Sequence, residues 1–235
     1  PSEKLMNEYA IELLTAEDGF VSSEIYSIVQ DRQGFLWFGT AENGVMRYDG
    51  NQVALFESEG DKRNGLSHND AGNLMLDNDG NIWIGTWGGG ANLYNPSRGT
   101  FEQFRHDPEN PSSLSSNRIQ SLFHDQTGTL WLGSYDEGVN KYIGDGRFEH
   151  IKKAQGNAPG LSHNRVWDIL DADSGALWIA TSFGLNLLNK NTGSVRYYFP
   201  DNENETATGA NEIRGLLKTA QGQIYVATQD GPFLF

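Results

Sequence analysis

The side chains of this sequence that could carry chemistry are few in kind. Five histidines stand at 68, 106, 124, 150 and 163, serines cluster in "SSLSSN", and 31 acidic residues are spread along the chain. Aromatic residues are set among carboxylates and amides at Trp87, at Tyr135 beside Asp136 and Glu137, at Phe183 and at Trp167. Aromatic rings stack on the apolar faces of sugars, and carboxylates and amides bind hydroxyl groups, so this mixture suits a polar, sugar-like ligand. The same rings would also serve to fill gaps between packed sheets, and the sequence leaves both readings open.

Other chemistries fit less well. His68 and His163 hold the same place in two copies of "LSHN", so repetition accounts for them, and no metal site is expected. "GTWGGGAN" lacks the Lys-Ser/Thr of a phosphate loop, and a strand rather than a helix follows it. "DNDGN" has its glycine fourth, where a calcium loop needs it sixth. No nucleophile elbow or triad order can be picked out. A glycosidase needs two carboxylates about 5 to 10 Å apart, a spacing the sequence does not specify. No catalytic residue, metal or cofactor is therefore expected, and the candidate ligand-binding residues are His68, Trp87, Tyr135, Asp136, Glu137, His163, Trp167 and Phe183.

The elements that must position these residues follow from the rest of the chain. Its 235 residues suffice for one well-buried domain spanning 1–235. A net charge of −14, with no basic run longer than "DKR" or "IKK", argues against nucleic acid and anionic lipid as partners. No apolar run approaches the roughly 18 to 20 residues needed to cross a bilayer, so direct membrane insertion is not expected. Cysteine is absent, which excludes disulfides and thiolate chemistry. The sequence opens on Pro1 rather than Met, as a processed or excised piece would.

An internal repeat settles most of the structure. Trp37, Trp83, Trp131, Trp178 and Tyr225 follow one another at intervals of 46, 48, 47 and 47 residues, within "GFLWFGT", "GNIWIGT", "GTLWLGS", "GALWIAT" and "GQIYVAT". Asp31, Asp77, Asp125 and Asp171 precede four of these anchors, with Thr219 in the fifth unit. Asp77 is expected to cap backbone amides in its turn. Each unit reads as four short antiparallel strands joined by glycine-bearing turns. The second strand is apolar on both faces and must be covered on both. Blades packed radially do this, so the fold is expected to be an all-β propeller of about five blades, near 18–56, 64–104, 112–151, 158–199 and 209–235. Residues 8–14 could complete the last blade and close a five-bladed ring; alternatively, the chain is part of a larger propeller.

"GLSHNDAGNLMLDNDGNIWIGTWGGGANLYN" and "GLSHNRVWDILDADSGALWIATSFGLNLLN" resemble the two-component regulator propeller repeat, whose pattern covers nearly the whole chain and weakens at Tyr225 and Ala227. The resemblance implies a periplasmic sensor domain, placed before a membrane helix and a kinase or diguanylate cyclase module. It also implies an oligosaccharide or other small-molecule ligand. A homodimer would offer one route for coupling to the output module. Two other classes stay in view: a protein-interaction scaffold, and a glycan hydrolase or lyase.

Overall fold

In a computed structural model, residues 13–60, 64–156, 158–172, 175–200 and 211–235 are described. Nineteen strands form five antiparallel sheets in strict chain order. The first blade holds β1 (Ile25–Gln30), β2 (Leu36–Thr40), β3 (Val45–Tyr48) and β4 (Val53–Phe56). The second holds β5 (Asn73–Leu76), β6 (Ile82–Gly85), β7 (Ala91–Asn95) and β8 (Thr100–Phe104). Then come β9 (Ile119–His124), β10 (Leu130–Ser134), β11 (Val139–Tyr142) and β12 (Phe148–Ile151). The fourth blade comprises β13 (Val166–Ala172), β14 (Ala176–Thr181), β15 (Gly184–Asn189) and β16 (Val195–Tyr198), and the fifth β17 (Ile213–Lys218), β18 (Ile224–Thr228) and β19 (Gly231–Leu234).

The aspartate–tryptophan spacing has a local cause. Asp31 Oδ1 accepts from the backbone N–H groups of Gln33 and Phe35, and Oδ2 accepts from the Trp37 indole at 2.8 Å. Asp125 does the same for Thr127, Thr129 and Trp131. Asp77 caps Asp79 and Asn81 as expected. One carboxylate thus closes the hairpin and fixes the ring that the next blade will cover. In the fourth blade the sequence alignment slips by one residue. Ala172, paired with Ala176, holds the turn position, while Asp171 pairs with Leu177 and accepts from the Gln126 N–H of the preceding blade.

The apolar core lies in the seams between blades. Trp37 meets Tyr94 of the second blade at 5.0 Å between ring centroids, Trp83 meets Tyr142 of the third at 5.7 Å, and Trp178 meets Phe235 of the fifth at 5.0 Å. Four clusters of buried residues fill the four seams. Burying these large rings is the main stabilising term, at roughly 25 cal/mol per Å² of apolar surface.

The two outer faces of the array are different. Ile28 on β1 is 61% exposed, whereas its counterpart Ile169 on β13 is buried. Tyr225 on β18 is 42% exposed, whereas Trp37, Trp83 and Trp131 in the same position are at most 3% exposed. Among the described residues these two faces do not bury one another, so the first and fifth sheets do not pack together as neighbouring blades do. The segment 8–14, expected to complete the last blade, falls largely outside the described residues.

Candidate functional site

Each blade carries a tight turn between its second and third strands; a hydroxyl closes all five, that of Thr228 in the fifth, and four share a second bond as well. The hydroxyl of Thr40, Thr86, Ser134 or Thr181 donates to a glycine carbonyl across the turn. The next residue, Ala41, Trp87, Tyr135 or Ser182, donates its N–H to the carbonyl of Glu24, Asp70, Arg118 or Arg165. Backbone groups therefore fix the turn, and the side chains at both of these positions are left undetermined by the fold. They are the places where a binding function could be written without cost to the blade.

What is written there, and on β13 and β17 beside it, is an alternation of rings and guanidinium groups. Trp87 and Tyr135 meet edge to face at 4.5 Å. The Arg118 guanidinium carbon lies 6.0 Å from the centroid of each ring. Arg165 lies over Tyr135 at 3.9 Å and beside Trp167 at 5.9 Å, and Arg214 stands 5.5 Å from Trp167. Ser182 is too short to take part, but its hydroxyl accepts from the Trp167 indole at 2.9 Å, so Trp167 supplies the ring that this blade's turn lacks. The row runs across blades two to five and is held by cation–π contacts within about 6 Å.

Beside the row is a cavity of about 450 Å³, lined by Tyr26, Asp70, Gly72, Asn73, Trp87, Ile119 and Gln120. Such a volume is in the range of small-ligand clefts. Tyr26, Gly72, Gln120, Trp167 and Arg214 occupy the same position in their five blades, so a single column of the repeat supplies much of the wall. A Cβ on Gly72 would sit 3.0 Å from the Tyr26 ring, so glycine leaves room for that ring. Burial raises the Asp70 carboxyl above the ordinary carboxylate range, with His68 opposing the shift and Glu42 adding to it.

The sequence matches the two-component regulator propeller family at residues 19–42, 65–88, 113–136 and 160–183, four segments that each run from the loop before a blade to the turn just described. Four stretches of the chain thus match the two-component regulator propeller repeat. It is similar to a solved extracellular domain assigned to the hybrid two-component system BT3049 of B. thetaiotaomicron, at 28% identity and a TM-score of 0.83 over 95% of this chain and 30% of that one. A second such domain, assigned to BT4673 of the same organism, aligns at 22% identity and a TM-score of 0.75 over 97% of this chain and 32% of that one. The chain thus spans about a third of the length of these structures. No curated protein sequence matches it. No helix among the described residues is long and apolar enough to cross a membrane.

The regulator propeller repeat explains several residues that look functional in the sequence. His68 Nδ1 accepts from the Asp70 N–H, and His163 Nδ1 from the Arg165 N–H. Ser22 and Ser116 do the same for Glu24 and Arg118, so both histidines cap a turn of the repeat. Burial, aided by the Lys153 and Arg165 cations and opposed by Glu212, holds His163 below the usual imidazole range. Glu137 pairs with Lys152 at 2.6 Å, and Phe183 packs on Phe199 with ring centroids 5.3 Å apart. The repeat's buried asparagines Asn92, Asn140 and Asn186 each accept from the N–H of a loop serine, Ser67, Ser115 and Ser162.

The structure thus brings Trp87, Tyr135, Asp136 and Trp167 of the expected set into one neighbourhood, Asp136 through a 3.5 Å ion pair with Arg118. It assigns His68 and His163 to the turns beneath and gives Glu137 and Phe183 other partners. The sequence reading missed Arg165, Arg214, Tyr26, Asp70 and Gln120. Comparing charge column by column would have revealed the first, because Arg118 and Arg165 stand where the other blades have Glu24, Asp70 and Glu212. Among the described residues no three His, Asp or Glu side chains come together as a metal-binding group.

Proposed function

We propose that this chain is the ligand-sensing, extracytoplasmic part of a bacterial signal-transduction receptor, with a saccharide bound at the mouth formed by Trp87, Tyr135, Trp167 and the adjoining cavity. The observation that carries this reading is the row of rings and guanidinium groups on positions that the blade leaves undetermined. Trp87 is 37% exposed, so its ring can stack on the apolar face of a pyranose. Asp70, Asn73 and Gln120 line the cavity with groups that bind hydroxyls. Similarity to the extracellular domains of hybrid two-component systems supports the sensor assignment. Its placement in the periplasm and its coupling to a kinase or cyclase module belong to the same proposal.

A sensor binds without turnover, and that separates it from a hydrolase or lyase. Calorimetric titration with a panel of oligosaccharides is expected to find at least one that binds, with no cleavage on overnight incubation and with binding lost in Trp87→Ala. Release of reducing ends would move the reading to an enzyme. A panel in which nothing binds, together with retention of a protein partner, would move it to an interaction scaffold.

A further inference from the structure

The charges of the row sharpen the ligand class, on the footing that the site binds saccharides as just argued. The chain carries 31 acidic and 17 basic residues, yet three arginines are gathered at this one mouth. Two of them have counter-ions of their own: Arg118 lies 3.5 Å from Asp136, and Arg214 lies 3.3 Å from Glu212. Arg165 makes no ion pair among the described residues, and its Nε is buried without a hydrogen-bond partner. A partly buried cation lacking a counter-ion is costly for the free protein. The repeat does not require it, since blades one, two and five hold Glu24, Asp70 and Glu212 at that position.

The orientation of Arg165 matters as much as its charge. The Tyr135 ring covers one face of the guanidinium at 3.9 Å. A stacked guanidinium keeps its N–H donors in the plane of the fork, which is the geometry that grips a carboxylate or sulfate by two parallel hydrogen bonds. Lysine, a point charge on a flexible stem, would not hold that plane.

The geometry points to an acidic saccharide, bearing a carboxylate or a sulfate ester, whose anionic group binds Arg165 while a sugar face stacks on Trp87. The ligand's charge then supplies the counter-ion that the protein does not, and a neutral sugar of the same shape leaves Arg165 as unpaired as before. Neutral and acidic oligosaccharides are separated by this one contact.

Calorimetry on the full chain tests it with two matched pairs: tetragalacturonate against its methyl ester, and a sulfated neocarrageenan tetrasaccharide against neutral neoagarotetraose. At least one acidic member is expected to bind about tenfold or more tightly than its neutral partner, as a charged hydrogen-bonded pair allows. The pair showing the preference identifies carboxylate or sulfate. Arg165→Gln should erase the preference and Arg165→Lys should restore part of it, with thermal melting confirming that both variants fold. Equal affinity for acidic and neutral partners would overturn the acidic ligand and leave a saccharide site standing. A preference that survives in Arg165→Gln would overturn the role of Arg165, and no binding by any of the four would remove the saccharide reading along with the acidic one.

Discussion

The Arg165 guanidinium lies 3.9 Å from the centre of the Tyr135 ring, across the seam between the third and fourth blades. Neither residue is required by its own blade, and together they tie two neighbouring blades through their undetermined positions. Contacts of this kind carry about 0.5 to 2 kcal/mol each. They are therefore affordable to lose for stability while being decisive for binding.

Trp87→Ala should accordingly separate the two properties. Its ring is partly exposed and touches Tyr135 edge to face, so truncation is expected to cost about 1 kcal/mol, a fall of roughly 2 to 4 °C in melting temperature for a chain of this size. Saccharide affinity should drop far more. A melting temperature lowered by 10 °C or more would mean that the ring serves the fold and not a ligand.

The anchor position gives a comparison within one molecule. Trp131 is buried, so Trp131→Ala should destabilise by about 3 to 5 kcal/mol. Tyr225, at the same position but 42% exposed, should cost less than about 1.5 kcal/mol on the same change. Urea unfolding of the two variants measures the difference. Equal losses would show that the outer face of the fifth blade is covered in solution.

Acid stability should depend on Asp125. Its burial favours the neutral acid, but hydrogen bonds from Thr127, Lys190, Trp131 and Thr129 outweigh this and hold the carboxyl well below the usual range. The stabilisation is complete above the unfolded carboxylate value of about 3.9 and is lost as the pH falls through it toward the folded value. Asp125→Asn, which removes the carboxylate 2.9 Å from the Lys190 ammonium and leaves it only Asp171 at 3.6 Å, is expected to cost about 2 kcal/mol at pH 7. The gap from the parent protein should narrow below about pH 4. Urea midpoints across pH 3 to 7 follow it; a constant gap would contradict the assignment.

Gly90→Ala tests the turn beneath the site. Gly90 has φ of 80°, and a Cβ there would lie 2.1 Å from the Phe104 carbonyl oxygen. Backbone strain and the clash with a main-chain atom together predict a loss of about 2 to 3 kcal/mol. Gly99, with φ of 66° and open space around it, should lose only about 1 kcal/mol on the same change.

The fold was legible because it repeats: five copies of one strand–turn–strand phrase show the anchor tryptophans and the capping aspartates without any help from distant contacts. Asp171 misled for a local reason, since the aspartate stands one place earlier in β13, opposite Leu177 where the third blade has His124, and Ala172 holds the turn position. Whether the blades close into a ring depends on contacts between the first and last sheets, which no single repeat encodes; among the described residues Ile28 and Tyr225 stay exposed. At the site, Trp87 and Tyr135 stood out as departures from the repeat. His68 and His163 stood out too, but they do the work that serine does in other blades. Arg165 and Arg214 escaped notice because their ring partners are about 30 to 50 residues away, and only the radial packing of blades brings them together.

The turn that carries Trp87 has two owners. The Trp87 N–H bonds to Asp70 of its own blade, while the N–H groups of Gly88 and Gly90 both bond to the Asn117 carbonyl of the next. A load applied at Trp87 is thus borne by a joint, as a hinge pin bears the weight of a door, and a molecule seated there acts on the angle between two rigid panels more readily than on the shape of either.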